Sequence, residues 1–146
     1  TKIYLFYLLR NENMKYDGLD LSSSITSHSQ IIKLVGRNKK VLDVGCSTGF
    51  LGKYLIKNKN CEVVGIEIDE QAKKLENKGY LKVIVGDIND LTLLNKIIRT
   101  FDVIICGDVL EHLINPKEVL VRLAGLLREK GLPVPQPRPL SVEASS

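Results

Sequence analysis

A loop of small residues is the part of this sequence best suited to hold a ligand. It lies within residues 41–52 (VLDVGCSTGFLG) and runs from an apolar stretch through Gly45 and Gly49 into a helical pattern. Glycine lets a backbone turn tightly and approach a ligand closely, and the helix that follows presents free backbone N–H groups. The pattern predicts a loop against which a small ligand lies.

Two acidic residues that follow later apolar runs narrow the class of ligand to a nucleoside. Glu67 ends the run VVGIE, where a carboxylate can accept both hydroxyls of a ribose beyond the carboxyl ends of parallel strands. Asp87 lies in Gly86-Asp87-Ile88 after the third run, where a carboxylate can accept from an exocyclic amine and an aliphatic neighbour can pack on a base. Together with the glycine loop, they predict a nucleoside site.

The spacing of the glycines separates two classes of cofactor. Dinucleotide enzymes use GxGxxG, whose later glycines serve the pyrophosphate and close helix packing. Here the loop is Gly45-Cys-Ser-Thr-Gly49, which lacks the GxGxxG spacing, and the sequence has no GK[ST] phosphate loop. The spacing argues against a dinucleotide and against hydrolysis of a nucleoside triphosphate.

Alternating apolar runs and amphipathic segments between residues 27 and 131 indicate the elements that carry these residues. The runs at 40–44, 62–67, 81–85 and 101–106 are nearly continuous in Val, Ile and Leu, as in strands buried on both faces of a parallel sheet. Helices are predicted at 29–35, 50–57, 70–77, 91–99 and 116–130. This alternation of strands and helices predicts an open α/β sheet with right-handed crossovers.

Four segments in order resemble the signature segments of one enzyme family. DVGCSTG, VVGIEID, GDI and FDVIICGDVLEHL are similar to those of the class I S-adenosylmethionine-dependent methyltransferases, in their small-molecule branch, over residues 40–131. The resemblance implies a mostly parallel Rossmann-like sheet with helices on both faces. It also implies S-adenosylmethionine as cofactor, S-adenosylhomocysteine as product and an unidentified small-molecule acceptor. The alternative is a non-catalytic α/β nucleoside-binding or scaffolding module.

The resemblance also implies roles for individual residues. Three parts of the cofactor would be contacted: the methionine part by Asp43, Gly45, Cys46 and Gly49, the ribose by Glu67, and the adenine by Ile68, Asp87 and Ile88. Ser47 departs from the glycine often found in this loop. Structural alternatives stay open, because the two glycines could be plain turn residues, Asp43 could brace the loop and Asp87 could form an Asx turn.

The segment after the fourth run would face the methyl acceptor. His112 is a candidate general base, needed only if the acceptor must lose a proton, and it could instead brace the start of a helix. Asp108, Glu111 and His112 form a D-x-x-E-H cluster that resembles an E-x-x-E-H metal site of some family members, and such ligands suit Mg or Mn. The shorter Asp arm argues against that site, and no metal is expected.

Composition limits the partners and the compartment. The 146 residues suffice for one domain, and a net charge of +4 with dispersed Lys and Arg lacks the clustered stripe of a nucleic-acid-binding protein. No stretch approaches the ~18 apolar residues of a membrane span. Cys46, Cys61 and Cys106 have no CxxC spacing and predict reduced thiols in a cytoplasmic protein.

The two ends of the chain differ from its middle. Residues 1–26 have no clear period and are a candidate cover for the cofactor site, while the resemblance implies that residues 27–132 form a partial methyltransferase domain that binds the cofactor. Residues 133–146 hold four of the five prolines, which predicts a disordered or non-native tail, the alternative being a proline-rich ligand. The sheet is therefore expected to be truncated after four strands, without the last three of the family fold. Its fourth strand would then be an exposed apolar edge that favours self-association.

Overall fold

The structure is a computed structural model that describes residues 2–5, 15–16, 19–20, 28–107, 109 and 112–127. For residues 2–5, 15–16, 19–20 and 28–30 it describes the backbone alone. The predicted tail at 133–146 and Asp108 and Glu111 of the D-x-x-E-H cluster lie outside the described residues.

A five-stranded parallel sheet forms the centre of the fold. Its strands are β1 (Lys2–Leu5), β4 (Lys40–Val44), β5 (Glu62–Glu67), β6 (Lys82–Val85) and β7 (Val103–Cys106), in the order β1-β7-β4-β5-β6. Every pairing in this sheet is parallel. A separate antiparallel pair joins β2 (Lys15–Tyr16) to β3 (Leu19–Asp20). The four predicted strands and the open α/β sheet are confirmed.

The prediction that the fourth run is an exposed edge is wrong. That run forms β7, and Ile104 on β7 pairs with Leu42 of β4 on one side and with Ile3 of β1 on the other. The strand at Lys2–Leu5 was not predicted, because the start of the chain shows no clear alternation. It leaves β7 inside the sheet, so an open β7 edge cannot drive self-association.

Within the part of the chain that the structure describes, three α-helices and two 3-10 helices accompany the strands. They are α1 (His28–Val35), α2 (Phe50–Lys59), α3 (Pro116–Ala124) and the 3-10 helices Glu70–Lys78 and Leu91–Lys96. Two helix starts have side-chain caps, in which Asp69 accepts from the Gln71 N–H and Asn115 accepts from the Glu118 N–H.

Helix α3 ends at Ala124, before its predicted end at residue 130. The chain leaves the helix because the Phe101 N–H donates to the Leu126 carbonyl at 2.9 Å, and Phe101 forms a parallel bridge with Leu127. The same pairing removes Phe101 from β7, which begins at Val103.

The apolar core has one layer on each face of the sheet, as the alternation of side chains along a strand requires. One layer joins Leu42, Val44, Ile66 and Ile104 to α3 and the second 3-10 helix. The other joins Val41, Val63, Val83 and Ile105 to α1, α2 and the first 3-10 helix. Helices therefore cover both faces, as predicted. Within the described residues, each helix is too short or too polar to cross a bilayer.

The outer strand β6 has its backbone groups covered by an ion pair. Lys73 Nζ donates to the Val83 carbonyl at 2.9 Å, and the Val83 N–H donates to Glu76 Oε2 at 3.3 Å. Lys73 Nζ and Glu76 Oε1 lie 3.0 Å apart. Because unpaired N–H and C=O groups invite strand addition, these side chains protect this edge.

Candidate functional site

The glycine loop after β4 has a left-handed backbone at two glycines and one serine. The φ angles are +75° at Gly45, +76° at Gly49 and +52° at Ser47. A Cβ at Gly45 would lie 2.5 Å from Val109 Cγ1, and one at Gly49 would lie 2.5 Å from Leu75 Cδ2. Both glycines are therefore required by the turn and by the packing of neighbouring side chains. Ser47 adopts a conformation that glycine favours, which fits the glycine often found there in the family it resembles.

The glycine loop and Glu67 meet at the carboxyl ends of β4 and β5. The Ser47 N–H donates to Glu67 Oε2 at 2.7 Å. The Gly45 and Cys46 N–H groups donate to the Ile66 carbonyl at 2.8 and 3.1 Å. The structure thus brings the bend at residues 46–48 and the carboxylate that ends the next strand into direct contact.

Glu67 keeps acceptor capacity for a ligand. Its Oε1 accepts from the N–H groups of Ile68 at 3.1 Å and Asp69 at 3.4 Å, in addition to the Ser47 contact at Oε2. An ionised carboxylate has about four lone-pair positions. One position on Oε2 therefore remains, and the long Asp69 contact is the weakest of the three. The half-buried carboxylate can accept a ligand hydroxyl without any rearrangement of the strand.

Asp43 lies beneath the loop and is braced by a residue that the sequence did not indicate. Its side chain is 4% exposed, and the Tyr80 hydroxyl donates to Oδ2 at 2.8 Å. Burial raises the pKa of Asp43 to about 6, the Tyr80 hydrogen bond opposes that rise, and the Glu67 charge adds to it. Burial and the neighbouring Asp43 also raise the pKa of Tyr80, so Tyr80 is the donor of the pair.

Cys46 contributes its backbone to the loop and turns its thiol into the core. Burial, reinforced by the charges of Asp43 and Glu67, raises the pKa of the thiol to about 12. A protonated, buried thiol is a poor nucleophile. Cys46, Cys61 and Cys106 are all free and buried, consistent with the predicted reduced thiols.

The three candidate adenine contacts differ in accessibility. Ile68 is 66% exposed, whereas Ile88 is 7% exposed and belongs to the core layer with Leu93. Asp87 is exposed and its Oδ1 accepts from the Asn89 N–H at 2.9 Å, which is the Asx turn left open above. The side chain of Ile68 is thus available to a base, while Ile88 can offer little beyond its backbone.

Asn89 fastens the loop after β6 to the segment after β7. Its Nδ2 donates to the His112 carbonyl at 3.0 Å, and its Oδ1 accepts from the Ile114 N–H at 2.9 Å. His112 itself is exposed. Asn89 was not predicted, although an amide directly after the GDI segment is the signal that could have indicated it. Among the described residues, no group of three His, Cys, Asp or Glu side chains could hold a metal ion.

Comparisons with known proteins agree with this geometry. Residues 42–132 match a family described as a methyltransferase domain. The ubiquinone biosynthesis O-methyltransferase of Coxiella burnetii is 31% identical over 99 residues, which are 65% of this chain and 42% of that protein. The chain thus spans about two fifths of the length of this curated relative.

Two solved structures show the same fold. A TehB-like SAM-dependent methyltransferase from Corynebacterium glutamicum has a TM-score of 0.53 at 22% identity, over 73% of this chain and 59% of that one. Coclaurine N-methyltransferase bound to N-methylheliamine and SAH has a TM-score of 0.55 at 22% identity, over 81% of this chain and 37% of that one. Since the family match covers more than half of the sequence, the chain belongs to the class I S-adenosylmethionine-dependent methyltransferases.

Proposed function

We propose that this chain is the cofactor-binding part of a methyltransferase that transfers a methyl group from S-adenosylmethionine to a small molecule. The contact between the Ser47 N–H and the Glu67 carboxylate supports the proposal most strongly, because it joins the two parts of the site that a single adenosyl group would touch. One relative is named a ubiquinone biosynthesis O-methyltransferase, and ubiquinone is a small molecule, which supports an acceptor of that class. Three buried free thiols favour a cytoplasmic location.

The residues of the site fit the chemistry of the cofactor. Glu67 has a free acceptor position for a ribose hydroxyl, and the exposed side chain of Ile68 can cover one face of the adenine. Asp87 retains acceptor capacity for the exocyclic amine beside its Asx turn. The backbone from Gly45 to Gly49 would line the methionine part, above the buried charge of Asp43.

The bound cofactor supplies an activated methyl group on a cationic sulfur. Methyl transfer is an in-line displacement, so alignment of the acceptor and exclusion of water can supply much of the acceleration. A base is required only for an acceptor that loses a proton. We retain His112 as the candidate base in that case, since it is exposed on the segment held by Asn89.

Calorimetric titration tests the proposal. We expect saturable binding of S-adenosylhomocysteine, no comparable binding of NAD, and at least a tenfold loss of affinity in Glu67→Ala, because hydrogen bonds to a charged group contribute roughly 1.5–3 kcal/mol. Glu62→Ala is the matched control, because Glu62 is an exposed acid at the other end of the same strand. Absence of S-adenosylhomocysteine binding, or equal affinity in the Glu67 and Glu62 variants, would contradict the proposal.

A further inference from the structure

A buried hydrogen bond joins the end of the first 3-10 helix to the central strand of the sheet. Tyr80 is 2% exposed, Asp43 is 4% exposed, and the hydroxyl lies 2.8 Å from Asp43 Oδ2. Asp43 directly precedes the last residue of β4, which leads into the glycine loop at Gly45. The position and charge of the Asp43 carboxylate can therefore affect a ligand that binds against that loop.

Two glycines on different elements provide the slot in which Tyr80 lies. A Cβ at Gly52, in the first turn of α2, would collide with the Tyr80 hydroxyl. A Cβ at Gly65, on β5, would lie 3.1 Å from Tyr80 Cε2. Neither glycine has a positive φ angle. The need for glycine comes from the space taken by the tyrosine at Gly52, and by the tyrosine together with Cys46 Sγ, 2.9 Å from an added Cβ, at Gly65. The ring reaches Asp43 because both positions lack a side chain.

The other ionisable groups around Asp43 do not favour its charge. Glu67 carries a negative charge that opposes ionisation of Asp43. Burial raises the pKa of both the Cys46 and Cys106 thiols to about 12, so both are neutral. Among the described side chains, the Tyr80 hydroxyl is the hydrogen-bond donor to this carboxylate. Tyr80 is thus the side chain that offsets part of the cost of a buried negative charge.

We propose that Tyr80 is a positioning residue of the cofactor site, which holds the Asp43 carboxylate oriented and ionised beneath the glycine loop. An ionised carboxylate there attracts the cationic ammonium end of the methionine part, whereas a protonated one does not. Tyr80 acts through Asp43 and needs no contact with the ligand. This inference rests on the proposed function.

The test compares Tyr80→Phe with Tyr54→Phe, the same substitution on an exposed tyrosine of α2. S-adenosylhomocysteine affinity is measured by calorimetry from pH 5.5 to pH 8.5. In Tyr80→Phe we expect affinity to fall about eightfold at pH 5.5 and only about twofold near pH 7, since Asp43 is mostly ionised at the higher pH, and we expect no change in the control. The pH at which half the affinity is lost should rise by about one unit, because the carboxyl then ionises less readily. An unchanged pH profile, or a loss of the same size at every pH, would overturn the inference.

A second measurement separates failure of this inference from failure of the proposed function. Titration of the Asp43 carboxyl carbon, followed by NMR in the free protein, needs no ligand. We expect Tyr80→Phe to move its midpoint to higher pH, and an unchanged midpoint would overturn the inference even if binding were normal. If the wild-type protein bound no S-adenosylhomocysteine, the proposed function would fail and the role of Tyr80 in that site would fail with it. In that case, a titration midpoint of Asp43 that moves in Tyr80→Phe would show only that Tyr80 favours the ionised form of Asp43.

Discussion

Burial of the Asp43 carboxyl in the site lowers the free energy of unfolding of the protein at neutral pH. Burial raises its pKa to about 6 from an ordinary 3.8. Between these two pH values the native state binds more protons at this group than the unfolded state does. The contribution of Asp43 to the free energy of unfolding therefore falls as pH rises from about 4 to about 6, and it is constant above that range.

Asp43→Asn removes this dependence on pH. We expect the free energy of unfolding of the variant, minus that of the wild type, to grow by about 2 kcal/mol between pH 4 and pH 7, since each pKa unit corresponds to about 1.4 kcal/mol. Urea unfolding of both proteins at the two pH values measures it, and the difference cancels the other titrating groups. A difference that stayed constant with pH would show that Asp43 is not a buried charge.

Alanine substitutions at Gly49 and Gly36 distinguish the cost of backbone strain from the cost of steric overlap. Both have positive φ angles, but a Cβ at Gly49 would lie 2.5 Å from Leu75 Cδ2, whereas one at Gly36 would meet nothing within 4 Å. We expect Gly36→Ala to cost about 1 kcal/mol through strain alone, and Gly49→Ala to cost roughly 1–3 kcal/mol more through overlap. Chemical denaturation measures both. Equal losses would mean that Leu75 moves aside freely.

Among single residues, the sequence identified those whose position relative to a strand is enough to indicate a role in the site. Glu67 and the loop glycines follow apolar strands, so the topology of a parallel sheet already brings them to one edge. Tyr80 could not be predicted, because its partner Asp43 is distant in the chain and the slot depends on glycines of two other elements. Ile88 lies in the core, since an aliphatic residue after a strand can turn to either side.

At the scale of elements, Asn89 couples the loop after β6 to the segment after β7. Asn89→Ala removes both hydrogen bonds to the backbone of His112 and Ile114. We expect amide hydrogen exchange at Ile114 to accelerate about tenfold, because the Ile114 N–H loses its acceptor. Asn95→Ala, at an exposed position in the second 3-10 helix, should leave that rate unchanged. Equal rates in the two variants would show that Asn89 does not hold the segment.

The strands were more predictable than the ends of the helices. Buried parallel strands are continuous apolar runs, and all four predicted runs form strands. The early end of α3 depends on pairing between Phe101 and the segment at Leu126, a tertiary contact with no local signal. The segments at Glu70–Lys78 and Leu91–Lys96 are 3-10 helices, a distinction that the apolar pattern does not make. The short strand β1 was missed because the start of the chain shows no clear alternation, although β1 pairs with β7.

At the scale of the whole molecule, we expect the side chains that cover the β6 edge to limit association between copies. Lys73→Ala combined with Glu76→Ala uncovers the Val83 N–H and carbonyl of β6. We expect this double variant to self-associate at concentrations where the wild type does not, because the freed groups can pair with another strand. Sedimentation velocity measures it. Glu70→Ala with Lys74→Ala, exposed on the same helix and with the same change in charge, is the control. Identical sedimentation of the two double variants would contradict a protective role.

The central claim is that the glycine loop and the Glu67 carboxylate meet on one adenosyl group. Titration of the ¹⁵N-labelled protein with S-adenosylhomocysteine, followed by amide NMR, tests it directly. We expect the largest shifts at Ser47, Gly49 and Ile68, whose N–H groups belong to the loop or adjoin Glu67. Amides remote from the site, such as those of α1, should stay in place. Shifts confined to other surfaces, or none at saturating ligand, would contradict the claim.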